Sequence, residues 1–97
     1  MRFESEFLVI GGGVAGLTFA LRAAQRGRVR VVTKRPADNS ATAWAQGGIA
    51  AVLDPTDSFD EHISDTLQTG GGLSHPEIVK MVVEAAPARI EELVRIG

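Results

Sequence analysis

Phe7-Leu8-Val9-Ile10-Gly11-Gly12-Gly13-Val14-Ala15-Gly16 is the stretch that decides the fold. A short, unbroken apolar run passes directly into a G-x-G-x-x-G turn, and apolar residues then recur at helical spacing. Strand, glycine turn and helix in that order make the fingerprint of a dinucleotide-binding βαβ unit. Gly11 permits the tight turn out of the strand. Gly13 has no Cβ and leaves room for a pyrophosphate, and Gly16 lets the helix lie close on the sheet. The amides of Gly13, Val14 and Ala15 stand at the positive end of that helix, where a diphosphate is stabilised.

Working outward, the first strand spans about Glu6 to Ile10. Its continuous apolar character predicts a parallel strand buried on both faces. The following helix is expected over Val14 to Arg26, with Val14, Leu17, Leu21 and Ala24 as its inner stripe and Gly27 just past its end. Val29 to Thr33 reads as a second strand, joined to the first by a right-handed crossover. The acidic residue that usually clasps a ribose after this strand is missing, because Thr33-Lys34-Arg35 stand there. Two readings follow. Lys34 and Arg35 neutralise the 2′-phosphate of NADP, or the site takes FAD and grips its adenosine end by another route.

Pro36 to Ser40 reads as a loop. The small, uncharged stretch after it contains Gln46-Gly47-Gly48, which either divides two extended pieces or brings backbone close to a flat ring. Gln46 offers both donor and acceptor, and the Ser40 and Thr42 hydroxyls can reach phosphate or satisfy their own backbone. Trp44 reads as a packing residue rather than a stacking platform. Ser58 and Glu61 form a capping box for a helix from Phe59 to Gln68, with Phe59, Ile63 and Leu67 inward, ended by Gly70-Gly71-Gly72. Ser74 and Glu77 form a second box. Ile78, Val79, Val82, Val83 and Ala86 face inward on the helix that follows, and Pro87 breaks or kinks it. A short last helix carries Ile90, Leu93 and Val94, with Glu91 and Arg95 paired.

Composition narrows the functional classes. The 97 residues are 44% hydrophobic and 23% charged, with net charge −2 and no cysteine. That balance argues against nucleic acid as a partner and excludes thiolate chemistry. The longest apolar run, Ile49 to Leu53, falls far short of the ~20 residues of a membrane span, so the expected setting is the cytoplasm. His62 reads as a half-buried structural histidine and His75 as a residue beside a helix cap. Asp54, Asp57, Asp60, Glu61 and Asp65 read as turn, cap and surface residues, so no metal ligand and no catalytic residue is assigned.

Several blocks together carry a family likeness. Gly11 to Leu17, Val31 to Lys34 and Ser40-Ala41-Thr42-Ala43-Trp44-Ala45-Gln46-Gly47-Gly48-Ile49-Ala50 resemble the succinate dehydrogenase/fumarate reductase class of flavoproteins. Asp57-Ser58, His62, Asp65-Thr66-Leu67 and Gly70 to Gly72 continue the resemblance, which is strongest to the aspartate-oxidase branch. It implies noncovalent FAD, with the backbone of Gly12 to Ala15 on the pyrophosphate and Lys34 by the adenosine end. Ala41 to Gly48 would line the ribityl chain and isoalloxazine. Membrane-bound members carry, between the serine and threonine of this block, a histidine joined to the flavin; here Ala41 occupies that place. The implied substrate is a small dicarboxylate, L-aspartate, oxidised to iminosuccinate. The histidines and arginine that handle it in the family come from later in the chain.

The expected fold class is α/β, a Rossmann-like FAD-binding βαβ unit followed by helices. One such unit, followed by a stop at Gly97, leads to the expectation of an incomplete part of a larger two-domain flavoprotein. Within it, residues 1–97 divide into the βαβ unit at 6–33, a flavin-contacting segment at 38–53 and a helical segment at 58–97.

Overall fold

The computed structural model describes residues 1–36 and 39–97. Ala37 and Asp38, which belong to the expected 36–40 loop and the start of the 38–53 segment, lie outside the described residues. The chain forms two compact units, Met1–Gly47 and Gly48–Gly97.

In the first unit, β1 (Phe7–Ile10) and β2 (Val29–Val32) pair in parallel, with Phe7 opposite Val29 and Ile10 opposite Val32. A parallel pair needs a crossover, and α1 (Val14–Ala23) supplies it and packs on both strands. At the opening edge the Arg28 N–H donates to Glu6 Oε2 at 2.7 Å, and the Arg28 guanidinium lies 3.4 Å from the same oxygen. Backbone hydrogen bonding first, and the Arg28 charge after it, hold the Glu6 carboxyl below its ordinary range.

Three expectations for this unit are corrected. The inner face of α1 is not Val14, Leu17, Leu21 and Ala24: the first three are 44–56% exposed, whereas Ala23 is 6% exposed. Gly16, Ala20 and Ala23 share the covered face, because a ridge of small residues lets a helix approach a sheet closely. Phe19 stands at the margin of that contact, edge-on to Phe7 with ring centroids 6.5 Å apart. The helix ends at Ala23, with Ala24 as its C-cap, so Gly27 is not the residue just past its end. Close approach explains Gly27 instead: a Cβ there would stand 3.2–3.3 Å from Glu6 and the Phe7 ring. Finally, β1 is covered on one face only. Val9 is 7% exposed and Ile10 83%, since a single crossover helix covers a single face of a two-stranded sheet.

In the second unit a tight turn precedes the helices. Asp54 Oδ1 accepts from both the N–H and the hydroxyl of Thr56, which lowers the Asp54 pKa. Helix α2 (Phe59–Thr69) follows, its N-cap Ser58 accepting from the Glu61 N–H at 3.1 Å. The reciprocal half of the box is replaced, because the Ser58 N–H donates to Asp57 Oδ1 at 2.8 Å. Ser58→Ala is expected to cost about 1 kcal/mol of helix stability, read as a lowered denaturation midpoint and faster exchange of the Glu61 amide in the full-length polypeptide. Wild-type exchange at Glu61 in that variant would show the cap to be idle.

Gly70 caps α2, and Gly71 and Gly72 take φ of +59° and +86° to turn the chain into α3 (Pro76–Ile96). The two helices pack on each other. Here the expected second box, the break at Pro87 and the Glu91–Arg95 ion pair are all corrected. His75, not Ser74, is the N-cap, and it makes no side-chain cap bond; Pro76 fits the first turn, where its missing N–H costs nothing. Pro87 lies inside one continuous helix of 21 residues. It removes one intrahelical hydrogen bond, while Val79, Val83, Ala86 and Ile90 keep the helix covered on both sides of it. The Arg95 guanidinium donates to the Glu91 carbonyl rather than its carboxylate, and ion pairs along α3 include Lys80–Glu84 and Arg89–Glu92. The wide inward face also narrows, with Val83 6% exposed but Ile78 and Val82 half-exposed.

Candidate functional site

The glycine turn hangs from the second strand. Gly11 leaves β1 with φ of +111°, a conformation that L side chains rarely adopt, and its N–H donates to the Val32 carbonyl at 2.9 Å. A Cβ on Gly12 would stand 2.8 Å from Thr33 Cγ2. A Cβ on Gly16 would run into the Gly11 carbonyl oxygen and lie 3.3 Å from Val9 Cγ1. Gly13 is the N-cap of α1 in extended conformation, and lacking a side chain it leaves the first-turn amides without a cap of their own. Turn and helix end therefore form a cradle of backbone N–H groups with no side chain of their own filling it.

One side chain from elsewhere reaches this cradle. The Val14 N–H donates to Thr42 Oγ1 at 3.2 Å, across 28 residues of sequence. Thr42 belongs to a single turn that is otherwise closed locally. Ser40 Oγ accepts from the Ala43 N–H at 3.1 Å, the Ser40 carbonyl from Trp44 and the Thr42 carbonyl from Ala45. Of the two hydroxyls, Ser40 satisfies its own backbone and Thr42 does not.

Beside the cradle, at the C-terminal ends of both parallel strands, opens a cavity of about 570 Å³. That is where open α/β sheets bind ligands, and the volume is that of a small-molecule site. Ile10, Gly11 and Gly12 form one wall, and Val32 to Pro36 another. Asn39, Ser40, Ala41 and Trp44 close it. The Thr33 hydroxyl donates to the Arg35 carbonyl and shapes the turn that carries Lys34. Among the described residues no carboxylate lines the cavity, and Lys34 and Arg35 give it a basic edge.

Among the residues singled out from sequence, the structure gathers Gly11 to Gly13, Val14, Lys34, Ser40 to Thr42 and Trp44 at the cradle and cavity. Ala43, Ala45, Gln46 and Gly47 belong to the same unit but do not line the cavity. Gly47 takes φ of +105°, and neither it nor Gly48 has a neighbour within 4 Å of an added Cβ. No strand flanks them among the described residues. Trp44, expected to pack, is 73% exposed within this chain and stands beside the cavity. Ile10, Val32, Thr33 and Pro36 were missed as cavity residues. Thr33 carried a signal, since it occupies the position after β2 where a ribose-binding acid usually stands.

In the second unit His62 is half-buried, on a shallow acidic groove with Asp57, Glu61 and Asp65. Among the described residues no group of three or more His, Cys, Asp or Glu side chains is placed to hold a metal ion. No helix among them is long and apolar enough to cross a membrane.

Comparison with known proteins agrees with this geometry. A family model described as an FAD binding domain matches residues 6–97. L-aspartate oxidase 1 of Ralstonia nicotianae is 51% identical over 89 residues, 92% of this chain and 17% of that protein. The chloroplastic L-aspartate oxidase 2-b of Nicotiana tabacum is 46% identical over 92 residues, 95% of this chain and 14% of that protein. The chain thus spans roughly a sixth of the length of these relatives. Among solved structures, a FrdA mutant of E. coli quinol fumarate reductase superposes with a TM-score of 0.85 at 33% identity. That match covers 96% of this chain and 17% of the other.

Proposed function

This chain belongs to the FAD binding domain family, and from that premise we propose that it is the flavin-holding N-terminal part of an L-aspartate oxidase. Its cofactor is FAD, and the structure meets the demands of that group. The cradle at Gly11 to Gly16 leaves room for a diphosphate where side chains would collide, and Lys34 and Arg35 give the cavity a basic edge. The observation that carries the substrate reading is the 51% identity to an L-aspartate oxidase across 92% of this chain.

In this reading the first-turn amides of α1 receive the diphosphate, and Lys34 lies by the adenosine end. Ala41 to Gly48 run along the ribityl chain and ring, with the Gln46-Gly47-Gly48 backbone nearest the ring. When bound, FAD supplies the hydride acceptor that turns L-aspartate into iminosuccinate, and oxygen or fumarate reoxidises it. The task of these residues is to bind and orient the cofactor. Catalytic residues belong to later parts of the polypeptide, the proposed setting is the cytoplasm, and the product feeds synthesis of the pyridine ring of NAD.

Ala41 has no nucleophilic atom, so no covalent bond to the flavin forms at that position, and in this reading the FAD is held noncovalently. Acid precipitation of the full-length polypeptide is expected to leave a white pellet and a yellow supernatant; a yellow pellet would overturn this. Under anaerobic conditions L-aspartate should bleach the bound flavin and succinate should not. The fold shared with a fumarate reductase chain supports a second reading, a succinate- or fumarate-specific enzyme. The reverse bleaching pattern would decide for it.

A further inference from the structure

Among the described residues, Thr42 is the only member of the 40–48 segment whose side chain hydrogen-bonds to the phosphate turn. Its Oγ1 stands in front of α1, 3.2 Å from the Val14 nitrogen and 3.3 Å from where a Cβ of Gly13 would lie. That position is where an anionic oxygen gains most from the helix end. Gly13 offers no cap, and Thr18 Oγ1 donates to the Val14 carbonyl instead of serving the amides.

We propose that Thr42 is a positioning residue with two states: in flavin-free protein its hydroxyl oxygen caps Val14, and on FAD binding it yields that amide to a diphosphate oxygen. The proposal rests on the FAD reading above. A hydroxyl is a neutral acceptor and a diphosphate an ionised one, so the exchange replaces a weaker hydrogen bond by one roughly twice as strong. Rotation about χ1 between staggered wells suffices to withdraw Oγ1. Until then the hydroxyl keeps the amide satisfied and holds the 40–45 turn beside the cradle, so the site is pre-shaped before ligand arrives.

The test is amide hydrogen exchange on the full-length polypeptide, stripped of flavin and then reloaded with FAD, for wild type, Thr42→Val and Thr42→Ser. In the stripped protein, Thr42→Val should speed exchange at Val14 about fivefold, the weight of one net hydrogen bond, while Thr42→Ser should restore protection. With FAD bound, all three should protect Val14 equally. Equal exchange in the three stripped proteins would overturn the cap. A persistent deficit in FAD-loaded Thr42→Val would overturn the handover, because the hydroxyl would then serve the amide in both states. Failure of the wild-type protein to take up FAD, with Val14 still dependent on Thr42, would overturn the handover together with the flavin reading.

Discussion

Replacing Gly16 by valine is expected to leave the protein without flavin and to destabilise its first unit by about 3 kcal/mol, the upper end for overpacked interiors. The cause is the Cβ itself. It would run into the Gly11 carbonyl oxygen and press on Val9 Cγ1 at 3.3 Å. The Gly11 carbonyl is backbone and cannot rotate aside without unmaking the turn that Gly11 anchors to Val32. Val9 is the best-covered residue of β1 and has nowhere to go. Helix and strand must then separate, which carries the α1 amides away from the cradle. Because the collision is at Cβ, Gly16→Ala should be nearly as harmful as Gly16→Val. Gly12→Ala should be milder, since its Cβ would meet only the end of the Thr33 side chain, at 2.8 Å. Thermal unfolding of stripped protein and the flavin-to-protein ratio after purification measure both effects. A Gly16→Val protein that purifies fully loaded would contradict the close approach of α1 to β1.

The order of elements was readable because local chemistry settled each of them. Four apolar residues, a glycine turn and an amphipathic segment leave little besides strand, turn and helix, and the parallel pairing of β1 with β2 follows from the crossover. Ser58 and the glycines after α2 worked equally well as punctuation, because a cap and a positive φ are properties of one or two residues. What hydropathy misled was the face of α1. Leucines mark the stripe expected to be buried, yet the helix rests on Gly16, Ala20 and Ala23, since closeness to a sheet is gained by having little side chain to insert. Pro87 misled in another way. Its local cost is real, but tertiary cover on both sides of it carries the helix through.

The candidate site was legible to a similar depth. Glycine spacing marked the cradle, since Gly11 has a positive φ and Gly12 and Gly16 would collide if they carried a Cβ, while Gly13 leaves the first-turn amides of α1 without a cap of their own. The Thr42–Val14 hydrogen bond was not legible, because nothing in a sequence announces which of two loop hydroxyls will look inward across 28 residues. The place of Trp44 beside the cavity was equally hidden, because an indole serves packing and cavity walls alike.

Gly13→Asp is expected to separate folding from function, weakening FAD binding by at least a hundredfold while leaving the flavin-free unit as stable as wild type or slightly more so. Gly13 sits at φ −79° and ψ 179°, an extended conformation open to any residue. It is the N-cap of α1, where aspartate is among the best residues because its carboxylate accepts from the first-turn amides. The new Cβ would lie 3.3 Å from Thr42 Oγ1, a contact that a turn of the threonine side chain relieves. Folding therefore has no reason to object. The same carboxylate, however, occupies the ground on which the diphosphate is proposed to sit, and two unit charges 4 Å apart repel by about 4 kcal/mol at an effective dielectric constant of 20. Gly13→Asn keeps the cap without the charge and should lose only about tenfold, the value of displacing one satisfied set of amides. The Asp-against-Asn difference should shrink as salt is raised, because screening acts on the charge alone. Flavin fluorescence titrations and urea midpoints of the three stripped full-length proteins measure these quantities. If Gly13→Asp bound FAD as tightly as wild type, the diphosphate would have to lie away from α1, and the helix end would no longer account for cofactor binding.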